Sequence, residues 1–311
     1  MKIFRSREDC TTSEPGIVTV GTFDGVHLGH REILRYLKDR QEATGFSPTV
    51  VTFDPHPQSV VRRAGKEPIR VLTTTEEKLT VLEPLGIERV FVIPFTEAFR
   101  QTDAATFVQD ILLDCLGVKE LVVGWDHAFG KNREGTFETL QELGRQHGFS
   151  VDRVAPVFDD DTAISSTRIR EAVKTGDVAA AGHMLGAPYF LTGIVARGDG
   201  RGRSLGFPTA NIEIHHPRKL TPAGGVFIAE AVTDAGRYPA MVNIGIRPTF
   251  DQTDMTIEAH LLNFDGDLYQ QTMRLEFYRR QRDEQKFNSV IDLQTQLAQD
   301  RDATLNFFEN N

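Results

Sequence analysis

The sequence predicts an α/β domain built on a doubly wound parallel sheet, followed by a smaller, strand-rich domain. Three observations lead there. The first half alternates short β-branched runs with longer stretches whose apolar residues recur at helical spacing. The second half sets short strand candidates close together, punctuated by glycine, proline and aspartate, with no helices between them. Gly186-Ala187-Pro188 breaks the chain where one rhythm gives way to the other. At 311 residues there is enough chain for two domains, each burying its own core. The expected limits are residues 1–183 and 184–311.

In the first half, strands are expected at Ile17 to Gly21, Thr49 to Asp54, Arg89 to Phe95, Glu120 to Asp126 and Val151 to Val157. Helices are expected between them, at His30 to Thr44, Thr75 to Leu85, Asp103 to Leu116 and Phe137 to His147. Gly45, Gly86, Gly117 and Gly148 each sit where such a helix should stop. Repeated strand–helix–strand order gives a parallel sheet with helices on both faces, which binds ligands beyond the carboxyl ends of its strands.

Two further helices, Thr167 to Lys174 and Asp177 to Leu185, precede the break. After it come strands at Tyr189 to Ala196, Val226 to Val232, Tyr238 to Ile244, Thr256 to Leu262 and Met273 to Tyr278. Strands spaced this closely form an antiparallel sheet or a small barrel. The chain closes on a helix from Val290 to Phe307.

Composition narrows the function classes. A hydrophobic share of 40% and a charged share of 25% are those of a globular protein. A formal charge of −9 argues against broad nucleic-acid binding, though not against a local basic pocket for a nucleotide. Cys10 and Cys115 lie far apart and in no metal-like spacing, which argues against a disulfide framework and a structural zinc site. The N-terminus turns charged within its first residues, and no apolar run reaches bilayer length, so a cytoplasmic protein without a membrane partner is expected.

Two segments of the first half carry chemistry. In Gly21-Thr22-Phe23-Asp24-Gly25-Val26-His27-Leu28-Gly29-His30 a strand ends, a turn follows and a helix begins near His30. Backbone N–H groups and the helix dipole make that a seat for phosphate. His27 and His30, three residues apart, are placed to stabilise charge on an α-phosphate, with Gly29 leaving room for its approach. Phe23 and Asp24 of the same turn are counted with the nucleotide-binding residues. Ile164-Ser165-Ser166-Thr167-Arg168-Ile169-Arg170 opens a second helix, and its hydroxyls and arginines suit triphosphate oxygens. The alternatives, histidines capping a helix and a hydroxyl cap with surface arginines, lose weight when both segments occur in one alternating βα pattern.

The second half holds Gly198-Asp199-Gly200-Arg201-Gly202-Arg203-Ser204-Leu205-Gly206-Phe207-Pro208-Thr209-Ala210-Asn211. Gly198, Gly200 and Gly202 let a phosphate approach the backbone, and Arg201 and Arg203 supply charge. A glycine-arginine loop alone is most often a solvated turn; the trailing Phe-Pro-Thr-Ala-Asn is more specific. The Thr209 hydroxyl and Asn211 carbonyl can both meet a magnesium ion carrying nucleotide phosphates. There is no Gly-x-x-x-x-Gly-Lys-Ser/Thr loop, so this is not a P-loop kinase.

Together these segments resemble the bacterial bifunctional riboflavin kinase/FMN adenylyltransferases, also called FAD synthetases. The His-x-Gly-His and Ile-Ser-Ser-Thr-x-Ile-Arg pair is similar to nucleotidyltransferases that adenylylate phosphorylated cofactors. The longer Gly-Thr-Phe-Asp-Gly-Val-His-Leu-Gly-His string is similar to this branch in particular. Thr52 to Pro57 and Leu72 to Lys78 add to the likeness. In the second half it continues through Asn243 to Phe250, Ile257 to Leu262 and Asp265 to Tyr269.

The resemblance implies that the first domain transfers AMP from ATP to FMN and that a Greek-key barrel phosphorylates riboflavin. It places His27 and His30 at the ATP phosphates, Ser166, Thr167 and Arg168 at the triphosphate, and Asp126 beside the nucleotide. His127 stands where the commoner family pattern has phenylalanine. Thr209 and Asn211 fall at the magnesium position, Glu258 at the general base and Arg282 near the flavin. Riboflavin, FMN and ATP are the expected substrates, with Mg²⁺ accompanying ATP. Two rival readings, a phosphopantetheine-type adenylyltransferase and a non-catalytic flavin or nucleotide sensor, leave the barrel motifs or the intact polar residues unexplained.

Overall fold

The structure, a computed structural model, describes residues 1–10, 14–61, 68–125, 135–198, 202, 205–248 and 253–310. Packing divides the chain into two units, Met1–Ser166 and Thr167–Asn311.

In the first unit six parallel strands form one sheet: β1 (Lys2–Phe4), β2 (Gly16–Val20), β3 (Ser47–Asp54), β4 (Arg89–Pro94), β5 (Val118–Gly124) and β6 (Ser150–Val154), in the order β1-β4-β3-β2-β5-β6. The helices are α1 (Leu28–Thr44), α2 (Pro57–Val60), α3 (Thr75–Leu82), α4 (Glu97–Arg100), α5 (Ala104–Phe107) and α6 (Phe137–His147). Alternation along the strands supplies both layers. Ile17 and Val122 pack with Ile33 and Leu37 of α1, whereas Val18, Val20, Leu121 and Val123 join Phe107, Ile111, Leu112 and Leu140 opposite. The central strands are buried on both faces, with Thr19, Thr49 and Thr52 enclosed among their apolar residues.

The glycine stops hold. Gly45, Gly86, Gly117 and Gly148 all take positive φ, between 58° and 79°. The expected helix from Asp103 to Leu116 instead divides into α5 and a run of wider, i→i+5 turns at Val108–Leu113. The edge strand β1 was not foreseen: three residues carry too short a period to read.

One expectation is overturned. Cys10 and Cys115 are disulfide-bonded, with Cα atoms 5.1 Å apart across a sequence separation of 105. Cys115 lies in the core among Phe107, Ile111 and Leu116, and Cys10 packs against that cluster from the segment after β1. Sheet packing brings them together, which spacing along the chain does not register.

Two short antiparallel strands, β7 (Phe158–Asp159) and β8 (Thr162–Ala163), follow β6 in the first unit. The second unit holds α7 (Ser166–Thr175), which starts one residue before it, and α8 (Val178–Leu185). A closed antiparallel barrel follows. Its strands are β9 (Tyr189–Ala196), β10 (Ala210–Glu213), β11 (Gly225–Thr233), β12 (Gly236–Pro248), β13 (Thr253–Leu261) and β14 (Thr272–Arg282), in the order β10-β13-β12-β11-β14-β9. Closure removes the exposed sheet edges. The C-terminal α9 (Val290–Glu309) packs against β11 and β12. It is pinned where Asp300, 1% exposed, accepts from Arg282 Nε and Nη2 at 2.7–3.1 Å and from Gln296 Nε2 at 2.9 Å.

Candidate functional sites

The order of the first sheet turns at β2. The chain runs from β2 to β3 and then β4 on one side, and β5 returns to the other side of β2. At such a switch point the loops leaving neighbouring strands part and open a crevice. The β2–α1 turn, residues 21–27, lies there.

This turn is tightly held. Phe23, Gly25 and Val26 all have positive φ, at 47°, 84° and 44°. Two of them are not glycine, so the turn is strained and needs fixing from outside. Asp24, 1% exposed, accepts from the backbone N–H of Leu72 at 2.9 Å and of Thr73 at 3.0 Å. Gly25 N donates to Thr73 Oγ1 at 3.0 Å, and Ser166 Oγ donates to the Asp24 carbonyl at 2.8 Å.

Lys78, buried on α3, adds the last tie. Its Nζ donates to the Thr22 carbonyl at 2.6 Å and to Thr52 Oγ1 at 2.8 Å. Burial pushes this ammonium down to about 8, partly offset by Asp24 and Asp54.

On this platform His27 and His30 stack, ring centroids 3.6 Å apart and planes 18° apart. His27 caps α1: its Nδ1 accepts from His30 N at 3.4 Å, so a neutral His27 carries its proton on Nε2. Burial first, then the charges of His27 and Lys78, hold His30 well below the usual histidine range. His30 is therefore held as neutral imidazole beside the His27 ring.

The space expected over Gly29 is taken by protein. A Cβ there would lie 3.2 Å from Cε1 of His27, so the glycine admits the ring. Phe23 and Asp24 point into the fold, with the Phe23 ring 4.9 Å from that of His30. Thr167 and Arg168 stand in the first turn of α7. Asp126 and His127 lie outside the described residues.

In the barrel, strand register does the assembling. Asn211 of β10 pairs across from Glu258 of β13, which pairs on its other side with Asn243 of β12. Directly opposed residues share a face, so the three polar side chains form one row. Ile257 and Ala259 on either side of Glu258 are buried, leaving Glu258 on the opposite face. Glu284 extends the row, its Oε1 accepting from Asn243 Nδ2 at 3.4 Å.

Glycines make close approach possible. A Cβ on Gly198 would fall 1.9 Å from Asn211 Nδ2, and one on Gly202 would fall 2.3 Å from the Phe207 carbonyl oxygen and 3.4 Å from Thr209 Oγ1. A hydroxyl, an amide carbonyl and a carboxylate beside a glycine cradle are the hard oxygen donors that a magnesium–nucleotide complex takes. Gly200, Arg201 and Arg203 lie outside the described residues, while Arg282 is engaged by Asp300 on the α9 side.

Sequence reasoning assigned no role to Lys78, Thr73, Asn243, Glu284 or His260. Thr73, Lys78, Asn243 and His260 lie inside segments singled out for their likeness, but nothing in their spacing says that Lys78 is buried or that Asn243 stands beside Glu258.

Comparison with known proteins matches the chain in two stretches. A family model described as FAD synthetase matches residues 9–168, and one described as riboflavin kinase matches 185–308. The bifunctional riboflavin kinase/FMN adenylyltransferase of Bacillus subtilis is 36% identical over 298 residues, covering 94% of this chain and 93% of its own. Its namesake in Escherichia coli K12 is 35% identical, covering 99% and 98%. A crystal structure described as a macrolide-efflux protein from Streptococcus pneumoniae superposes with a TM-score of 0.89 at 31% identity, covering 98% of each chain. With two domain models in tandem and relatives matched along almost their whole length, the chain belongs to the bifunctional riboflavin kinase/FMN adenylyltransferase family.

Proposed function

We infer that this chain makes FAD from riboflavin in two ATP-dependent steps. The barrel unit carries riboflavin + ATP → FMN + ADP, and the sheet unit carries FMN + ATP → FAD + pyrophosphate. The observation that carries this reading is the tandem of two unrelated family models on one chain, each over its own cluster of polar residues. Incubation with riboflavin, ATP and magnesium tests it: chromatography should show FMN and then FAD. Neither product forming would end the assignment.

In the barrel, Glu258 takes the proton from the ribityl 5′-hydroxyl as its oxygen bonds to the γ-phosphorus and ADP leaves. Thr209 and Asn211 would hold magnesium, which when bound neutralises charge on the nucleotide phosphates. Gly198, Gly200, Gly202, Arg201 and Arg203 form the phosphate loop, and Arg282 serves the flavin side.

In the sheet unit the FMN phosphate, already an anion, attacks the α-phosphorus of ATP and pyrophosphate leaves. No protein nucleophile is needed. His27 and His30 donate hydrogen bonds to the charge that develops there, Ser166, Thr167 and Arg168 bind the triphosphate, and Asp126 serves the nucleotide directly, Phe23 and Asp24 only through the turn they hold. ATP use in both steps supports a cytoplasmic location. No described helix is long and apolar enough to cross a membrane.

Two expected results follow from the geometry. Lys78→Met keeps the length of the side chain but removes the ammonium that ties Thr22 to Thr52. A loosened β2–α1 turn misplaces both histidines, so FAD formation from FMN should fall by about tenfold to hundredfold, with riboflavin phosphorylation unchanged. Equal losses in both rates would remove Lys78 from the adenylyl site.

The second result concerns the domain limits. The reading places an adenylyltransferase at 1–183 and a kinase at 184–311, while packing assigns α7 and α8 to the barrel unit. Ala223 N donates to the Val173 carbonyl, and α8 lies against β14. A fragment starting at Thr167 should therefore make FMN and no FAD. One starting at 184, stripped of α7 and of all but the last two residues of α8, should melt at a lower temperature. Identical melting of the two fragments would put the functional boundary at 183/184.

A further inference from the structure

We propose that His260 is a positioning residue of the phosphoryl-transfer site, fixing the peptide that carries Thr209. This rests on the reading of Thr209 as a magnesium-side group. His260 follows Glu258 by two residues on β13 and shares its face, since Ile257, Ala259 and Leu261 between and around them are buried. Its Nδ1 lies 2.6 Å from the carbonyl oxygen of Pro208. A carbonyl only accepts, so Nδ1 carries the hydrogen and donates it. The same ring meets Phe207 edge-on, centroids 5.3 Å apart.

The peptide unit makes this contact matter. The Pro208 carbonyl and the Thr209 N–H belong to one rigid plane, so holding the oxygen sets the direction in which Thr209 leaves. Proline cannot anchor the segment through its own nitrogen, which has no hydrogen. From the other side Phe207 N donates to the Gly202 carbonyl at 2.9 Å, and Gly202 packs directly against the Phe207 carbonyl. The segment 207–209 is thus held between the phosphate loop and His260.

One strand, β13, consequently supplies the base and sets the group facing the metal. Ala210, next in the chain, pairs with Ala259, so the orientation fixed at Pro208 runs straight into the ladder that aligns Asn211 with Glu258. Burial lowers the tendency of His260 to protonate, and its bond to Pro208 partly offsets this; the neutral donor form suffices for the contact.

The test uses the full-length chain and two substitutions. His260→Leu keeps apolar bulk without a donor, while His260→Asn places an amide N–H near the position of Nδ1. Amide exchange across residues 206–212, measured without any ligand, should run about tenfold faster in His260→Leu and near the parent rate in His260→Asn. The magnesium concentration that half-saturates riboflavin phosphorylation should rise roughly tenfold in the leucine variant and be largely restored in the asparagine variant. FMN adenylylation, performed elsewhere on the same chain, should not change.

Thr209→Ala separates the two possible failures. If it leaves the magnesium requirement unaltered, the reading of Thr209 is wrong. If it raises that requirement while His260→Leu does not, the role given to His260 is wrong. Equal losses in the leucine and asparagine variants would make His260 a packing residue and overturn the proposal.

Discussion

Replacing His27 and His30 together with alanine should stop FAD formation almost completely and let FMN accumulate. Removing one preorganised donor to developing charge typically costs about 3 kcal/mol, a hundredfold or more in rate. The structure argues against doubling that figure for the pair. The rings stack at 3.6 Å, and His27 caps the helix through His30 N, so loss of either disturbs the other. Residues that act as one unit lose nearly everything at the first substitution. Each single variant should therefore approach the double variant, at roughly a hundredfold to a thousandfold below the parent. Separate assays, riboflavin to FMN and supplied FMN to FAD, measure this. Lost phosphorylation with FAD formation intact would reverse the assignment of activities to domains.

The neutral state of His30 also gives the fold a pH dependence. Its folded pKa lies well below the ordinary value of 6.5, so in that interval the unfolded chain binds a proton that the folded chain refuses. Stability should fall as pH drops below about 6.5, and His30→Gln should flatten that slope. Thermal melting of the parent and the variant between pH 7 and pH 5 reads this directly.

What was legible in the sequence was periodicity and punctuation. The helix Phe137–His147 and the strand Tyr189–Ala196 match the expected limits residue for residue, because each shows a clean period ended by a glycine or proline. β10 was missed because Ala210–Glu213 is short and half polar; it is a strand only through pairing with β9 and β13. The direction of a side chain was equally hidden. Asp24 looks like a pocket residue beside a phosphate motif, yet it is a buried support of the turn that carries the histidines, as is Lys78, to which nothing in the sequence assigns a role. Local pattern finds a site; which residues face its ligand and which hold it up is decided by tertiary packing. The Cys10–Cys115 bond belongs to the same class of fact.

Glu258→Gln should produce the converse of the histidine variant. The substitution keeps the shape of the side chain and removes its capacity to accept a proton, and loss of a general base costs about 10²–10⁴ in rate. Register makes the change clean. Glu258 is flanked by Asn211 and Asn243 in directly opposed positions, so a glutamine amide meets neighbours that can accept or donate, and the β10-β13-β12 ladder should be undisturbed. Riboflavin should stay unphosphorylated while supplied FMN still becomes FAD at the parent rate. The affinity for riboflavin, measured through quenching of its fluorescence, should hardly change, because the proton leaves only as the phosphoryl group transfers. A large loss of riboflavin affinity with turnover little altered would make Glu258 a binding group and move the base elsewhere. Loss of both activities in a folded protein would join the two sites into one. Separate effects from the histidine pair and from Glu258 would establish that two independent phosphate sites work in sequence on one chain.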